Sequence, residues 1–98
     1  MEQYLGDKIA PDTIRWHDAD AYYFRIHLPG VRKEDIELEA VKKGFCLKAR
    51  KGEREYATCY SLAYEIDFER IEAKFEEELL DVKFPLKKSM ELSKVNIK

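Results

Sequence analysis

Residues 22–39 read YYFRIHLPGVRKEDIELE. Tyr22, Phe24, Ile26 and Leu28 fall on one face at period two, and Tyr23, Arg25 and His27 on the other, the pattern of a half-buried antiparallel strand. Pro29 has no amide proton to give a ladder and Gly30 accepts positive φ, so this strand stops there. Alternation resumes after a charged corner: Asp35 opens Ile36, Leu38 and Ala40 against Glu37 and Glu39.

Similar segments recur along the chain. A brief strand over Ile14, Trp16 and Asp18 precedes the Asp18-Ala19-Asp20 turn. Further strands are expected at Ala21–Leu28, Ile36–Val41, Gly44–Lys51, Glu55–Tyr64, Ile71–Phe75 and Leu79–Phe84, a spacing that predicts an all-β, antiparallel sandwich of about seven strands. Lys43-Gly44 reads as a tight turn, and so does Lys51-Gly52-Glu53-Arg54. If Arg50 faces Glu55 across the second turn, then Ala49 faces Tyr56, Leu47 faces Thr58 and Phe45 faces Tyr60, all six on one side. The same register sets Cys46 opposite Cys59 on the other side. A cross-strand disulfide is geometrically open there; a reducing cytoplasm favours two free thiols instead, and a thermophilic one shifts the balance back. One segment stays ambiguous on periodicity alone. Phe68, Ile71, Phe75 and Leu79 fit a helical stripe, whereas Ile71, Ala73, Phe75 followed by Leu80, Val82, Phe84 fit two strands.

The 98 residues, 11.6 kDa in mass, suit one domain. A net charge of -2 hides 39% charged residues of both signs, so neither a nucleic acid nor a cationic partner is indicated. Apolar runs are short and the start lacks a secretory pattern, which leads to the expectation of a cytoplasmic protein with no membrane segment. Gln3 and Asn96 are the only amides among abundant Glu, Lys and Arg, a bias that suits a thermophile. His17 and His27 lack metal-ligand spacing, and no nucleophile–base order or phosphate-cradling loop is present, so no metal, cofactor or enzymatic activity is expected.

The opening stretch, with Leu28-Pro29-Gly30-Val31 and the Asp35-Ile36 start, resembles the α-crystallin domain of small heat-shock proteins. Gly44-Phe45-Cys46-Leu47-Lys48-Ala49 is similar to that family's Gly-x-Leu-x-Ile-x-Gly strand, and Lys51-Gly52-Glu53-Arg54 to its Gly-Glu-Arg turn. Tyr56, Thr58, Tyr60, Leu62, Ala63, Ile66 and Asp67, then Ala73, Phe75, Leu79, Leu80, Val82, Phe84 and Pro85, follow its later strands. The resemblance covers about Thr13 to Lys88 and favours strands over helix in the ambiguous segment. It implies a lead-in over residues 1–12, a sandwich over 13–88 and a tail over 89–98.

The departures from that family bear on function. The turn after Lys51 leaves no room for the long loop whose strand is lent to a neighbouring subunit, and Thr58 replaces an Arg common at that dimer interface. Glu78 replaces a turn glycine, so this hairpin is expected to turn differently or with more residues. The lead-in is also far shorter than the family's N-terminal arm, which argues against a large cage. Val95-Asn96-Ile97 resembles the family's C-terminal anchor, two alternate apolar side chains that enter a partner's groove and permit self-association.

The resemblance implies an ATP-independent holdase acting under stress, with unfolding client proteins bound between an edge strand at Ile36, Leu38 and Ala40 and a strand at Ile71, Ala73 and Phe75. A CS-domain-type module, monomeric and acting as co-chaperone or adaptor to one folded partner, is the alternative that the short turn supports. Tyr23 and Tyr64 are the aromatics expected to be exposed.

Overall fold

The computed structural model describes residues 3–5, by backbone, and residues 8–91 and 93–98. Nine strands are formed among them: β1 (Gln3–Leu5), β2 (Lys8–Ala10), β3 (Thr13–His17), β4 (Ala21–His27), β5 (Ile36–Val41), β6 (Gly44–Lys51), β7 (Arg54–Ser61), β8 (Glu72–Glu76) and β9 (Leu79–Pro85). One sheet runs β1-β2-β7-β6-β5 and the other β3-β4-β9-β8. All pairs are antiparallel except β2 with β7. No helix among the described residues is long and apolar enough to cross a membrane.

The period-two face of the opening stretch is the core face. Tyr22, Phe24, Ile26 and Leu28 are buried, while Arg25 and His27 are exposed. Leu28-Pro29-Gly30-Val31 closes as a tight turn in which the Val31 amide donates to Leu28 O at 3.4 Å and Gly30 has φ 77°. Proline at the second position and positive φ at the third are what a type II turn requires. Phe24 of β4 lies 4.7 Å from Phe45 of β6 and 5.1 Å from Tyr60 of β7, and Phe84 of β9 lies 4.6 Å from Phe45, ring centre to ring centre. These rings join the two sheets at the centre of the sandwich.

The expected β6–β7 register is the observed one, pair for pair: Arg50 with Glu55, Ala49 with Tyr56, Leu47 with Thr58, Cys46 with Cys59 and Phe45 with Tyr60. The ambiguous segment forms strands. Only Phe68–Arg70 makes a single 3-10 turn, capped by the Asp67 carboxylate accepting from the Glu69 amide at 3.1 Å, and Phe68 is half exposed rather than part of an apolar stripe.

The structure departs from expectation at several points; among them, β7 ends at Ser61 rather than Tyr64, and β8 starts at Glu72 rather than Ile71. Lys8–Ala10, read as loose lead-in, is a strand parallel to β7 with Ile9 in the core; three residues with one inward side chain are too short to show a period in the sequence. The first tight turn is Lys42-Lys43, not Lys43-Gly44; Val41 pairs with Gly44, which already belongs to β6. Beyond Lys88, Met90 packs on the core and its amide donates to Ala19 O at 2.8 Å. Finally, the Glu78 hairpin needs no extra residue. Glu76 pairs with Leu79 across a two-residue turn in which Glu77 (φ 49°) and Glu78 (φ 67°) both adopt positive φ.

Positive φ at both central residues is the geometry of a type I′ turn, whose twist matches the flanking strands but which suits Asn-Gly far better than Glu-Glu. Surrounding contacts hold it in place: Leu28 N donates to Glu78 O at 2.8 Å, and the His27 ring lies 3.6 Å from the Glu78 carboxylate. The double variant Glu77→Asn, Glu78→Gly is therefore expected to stabilise the fold by about 1–2 kcal/mol. Urea unfolding checks this, and an unchanged midpoint would mean the turn is unstrained.

Candidate partner-binding site

The groove residues come from the outer strands of the two sheets. β4 and β9 lie over β6 and β7 through the ring contacts above, so β8, beside β9, lies toward β5, beside β6. On β5, Ile36, Leu38 and Ala40 alternate with exposed Glu37, Glu39 and Val41, and the three apolar residues pack against the core while staying partly accessible. Phe75 of β8 does the same from the other sheet, as does Ile71, which immediately precedes β8. Ala73 is exposed and stands outside that packed set. β5 and β8 are each the last strand of their sheet, with one edge unpaired among the described residues.

Val95 and Ile97 are 81% and 90% exposed, so the tail does not occupy the groove of its own chain. Cys46 and Cys59 are bonded to each other, on the exposed outer face of the five-stranded sheet. Among the described residues no group of His, Cys, Asp and Glu is arranged to hold a metal ion.

A second surface was not anticipated. On the outer face of the four-stranded sheet, one row runs Trp16, Tyr23, Lys83, Glu72 and the next Ile14, Arg25, Asp81, Lys74. Trp16 is 47% exposed and Ile14 63%, and the Trp16 and Tyr23 rings stack at 5.6 Å with 9° between their planes. A shallow concavity of about 320 Å³ lies across this row. On the inner side of β3, the Arg15 guanidinium sits 5.7 Å from the Phe24 ring centre and 5.8 Å from that of Tyr60. Arg15 thus stays exposed while its guanidinium covers the edge of the core rings, and Ile14 and Trp16 stand on the opposite, outer face. The alternation of Ile14 and Trp16 is visible in the sequence, but only the β3–β4 register shows that they join Tyr23.

Charge holds this face in shape. The Tyr23 hydroxyl donates to the Asp18 carboxylate at 2.9 Å. That carboxyl is held below the ordinary carboxylate range, first by the Asp20 amide and then by Tyr23, while the same bond raises Tyr23. Arg25 donates twice to Asp81, at 2.7 and 3.1 Å, which lowers the Asp81 carboxyl likewise. Tyr64, the other aromatic expected outside, is 44% exposed on a different surface.

The sequence matches the family model of the PIH1 CS-like domain over residues 10–92. The chain belongs to the PIH1 CS-like domain family. No curated protein matches it. Among solved structures it is similar to heat shock protein 16.0 from Schizosaccharomyces pombe, with a TM-score of 0.76 and 24% identity over 91% of this chain and 98% of that one. HSP18.5 from E. histolytica gives 0.71 at 15% identity, over 90% and 98% of the two chains. The nuclear movement protein from E. cuniculi gives 0.65 at 13% identity, over 87% and 98%. At these identities the likeness speaks to the fold, which this CS-like domain shares with small heat-shock proteins. The α-crystallin resemblance of the sequence is thus a resemblance of architecture, and the family model gives the CS-like family.

Proposed function

We propose that this CS-like domain is a monomeric, protein-binding adaptor or co-chaperone module that works by noncovalent capture, with no chemical step. The observation that carries this reading is the connection of β6 to β7 through Gly52 and Glu53 alone, since Lys51 pairs with Arg54 and no strand remains to lend to a second subunit. The seam of Ile36, Leu38, Ala40, Ile71 and Phe75, with Ala73 at its rim, would accept an extended segment with alternate apolar side chains added along an open edge. The Trp16–Tyr23 face adds a second contact area of the aromatic kind enriched at interfaces.

One feature favours a holdase that assembles through its tail: the high exposure of Val95 and Ile97, whose spacing suits the seam of another copy. Light scattering across a concentration series separates the two readings. The adaptor reading expects a monomer throughout, with Val95→Ala, Ile97→Ala unchanged in mass and little protection of heat-denatured citrate synthase. A larger species that reverts to monomer in the double variant, together with strong protection, would establish the holdase instead. A labelled extended peptide with alternate apolar side chains tests the seam itself: binding lost in Leu38→Asp but kept in Trp16→Ala assigns it to β5, and no binding to the wild type would remove the seam from the proposal.

A further inference from the structure

We propose that the Cys46–Cys59 bond is a reversible thiol–disulfide switch that sets the stiffness of the β6–β7 hairpin in response to low-molecular-weight thiols such as glutathione.

Four observations carry it. Both cysteines are exposed, on the side of the sheet away from Phe45, Leu47 and Tyr56, so a small thiol reaches the sulfurs without disturbing the core. Exposed disulfides are the labile ones in exchange with a thiol pool. Their Cα atoms are 4.1 Å apart, the close approach of a non-hydrogen-bonded antiparallel pair. The bond spans a separation of 13 residues that the β6–β7 ladder already closes from Gly44–Ser61 to Lys51–Arg54. Cutting it therefore leaves the two thiols facing each other, ready to reform. Lastly, these are the only cysteines in the chain, so no intramolecular reshuffling competes.

The exchange balances without further reagents. One glutathione thiolate attacks a cysteine sulfur, forming a mixed disulfide and releasing the other cysteine as a thiolate. A second glutathione thiolate attacks the glutathione sulfur of that mixed disulfide, which frees the remaining cysteine and yields glutathione disulfide. Two glutathione thiols are oxidised, one protein disulfide is reduced, and their two protons end on Cys46 and Cys59. Reoxidation is the reverse, driven by glutathione disulfide.

The structure also indicates what the switch reaches. Among the described residues β5 is held in its sheet only by β6, and Glu39 of β5 pairs with Cys46. A β6 freed from its cross-link lets the β5 edge open more often, while β3 and β4, in the other sheet, are untouched.

The test uses the full chain equilibrated in glutathione buffers, with the thiol fraction read by alkylation and mass spectrometry. The pair is expected to titrate between oxidised and reduced within the usable glutathione range. Reduced chain is expected to stay folded, with Tm lower by roughly 10–20 °C and faster amide hydrogen exchange confined to β5, β6 and β7. Cys46→Ser, Cys59→Ser should reproduce the reduced wild type and lose all sensitivity to glutathione. A pair that stays oxidised under about 100-fold excess of reduced glutathione, a Tm that does not move on reduction, or a chain that unfolds when reduced would each overturn the proposal. None of these readouts depends on which partner the module binds.

Discussion

Phe24→Ala is expected to destabilise the domain by about 3–5 kcal/mol, the range for removing a fully buried ring that its surroundings cannot refill. Phe24 is 1% exposed and touches rings from three other strands: Phe45 at 4.7 Å, Tyr60 at 5.1 Å and Phe84 at 5.7 Å. Its loss removes transfer free energy and also the edge-to-face contacts that align the sheets, worth about 0.5–1.5 kcal/mol each beyond their area. The Arg15 guanidinium, now resting over that ring, would face a void on the apolar side. A domain of this size has roughly 5–15 kcal/mol in hand, so the variant sits at the edge of folding. Urea titration gives the number. Phe24→Leu, which restores most of the apolar volume, should cost about 1.5 kcal/mol; a similarly small loss in Phe24→Ala would mean that the ring cluster is not the centre of the fold.

Gly44→Ala is expected to cost about 2–3 kcal/mol, a large effect for one methyl group. A Cβ built on Gly44 would lie 2.4 Å from the carbonyl oxygen of Tyr60. That oxygen belongs to the β7 backbone, so no side chain can swing aside to relieve the contact; the strands must separate where the β6–β7 ladder begins with Gly44 and Ser61. Lys43→Ala, one residue earlier and exposed, should stay within about 0.5 kcal/mol of the wild type. Comparing the two by chemical unfolding isolates the steric requirement. Equal stabilities would mean the ladder relaxes freely at this end.

Gly44 also illustrates which kinds of information the chain carries locally. Read in sequence, a Lys-Gly pair between apolar runs is a turn; in the fold, glycine is needed because a neighbouring strand passes too close for any side chain. The Glu77-Glu78 turn misleads in the opposite direction. Nothing in its composition suggests positive φ, and contacts from Leu28 and His27 hold it there. Both cases involve residues distant in sequence, which local propensity does not contain.

The binding surfaces divide along the same line. The Ile36, Leu38, Ala40 alternation is written in the chain, as is the Val95-Asn96-Ile97 tail, because period two is a property of one strand. The exposed Trp16–Tyr23 stack belongs to two strands and arises only from their register.

By itself, then, the sequence determined the inward face of β4 and the β6–β7 register down to the Cys46–Cys59 pair, because a two-residue turn and a strict alternation leave one self-consistent pairing. Tertiary structure alone decided that Ile9 enters the core on a parallel strand, that Met90 docks against the sheet and that the apolar side of β3 faces out. The first two rest on a single residue finding space against a distant part of the chain, and a single apolar residue has no periodicity to announce it; the third rests on the β3–β4 register, which no single strand contains.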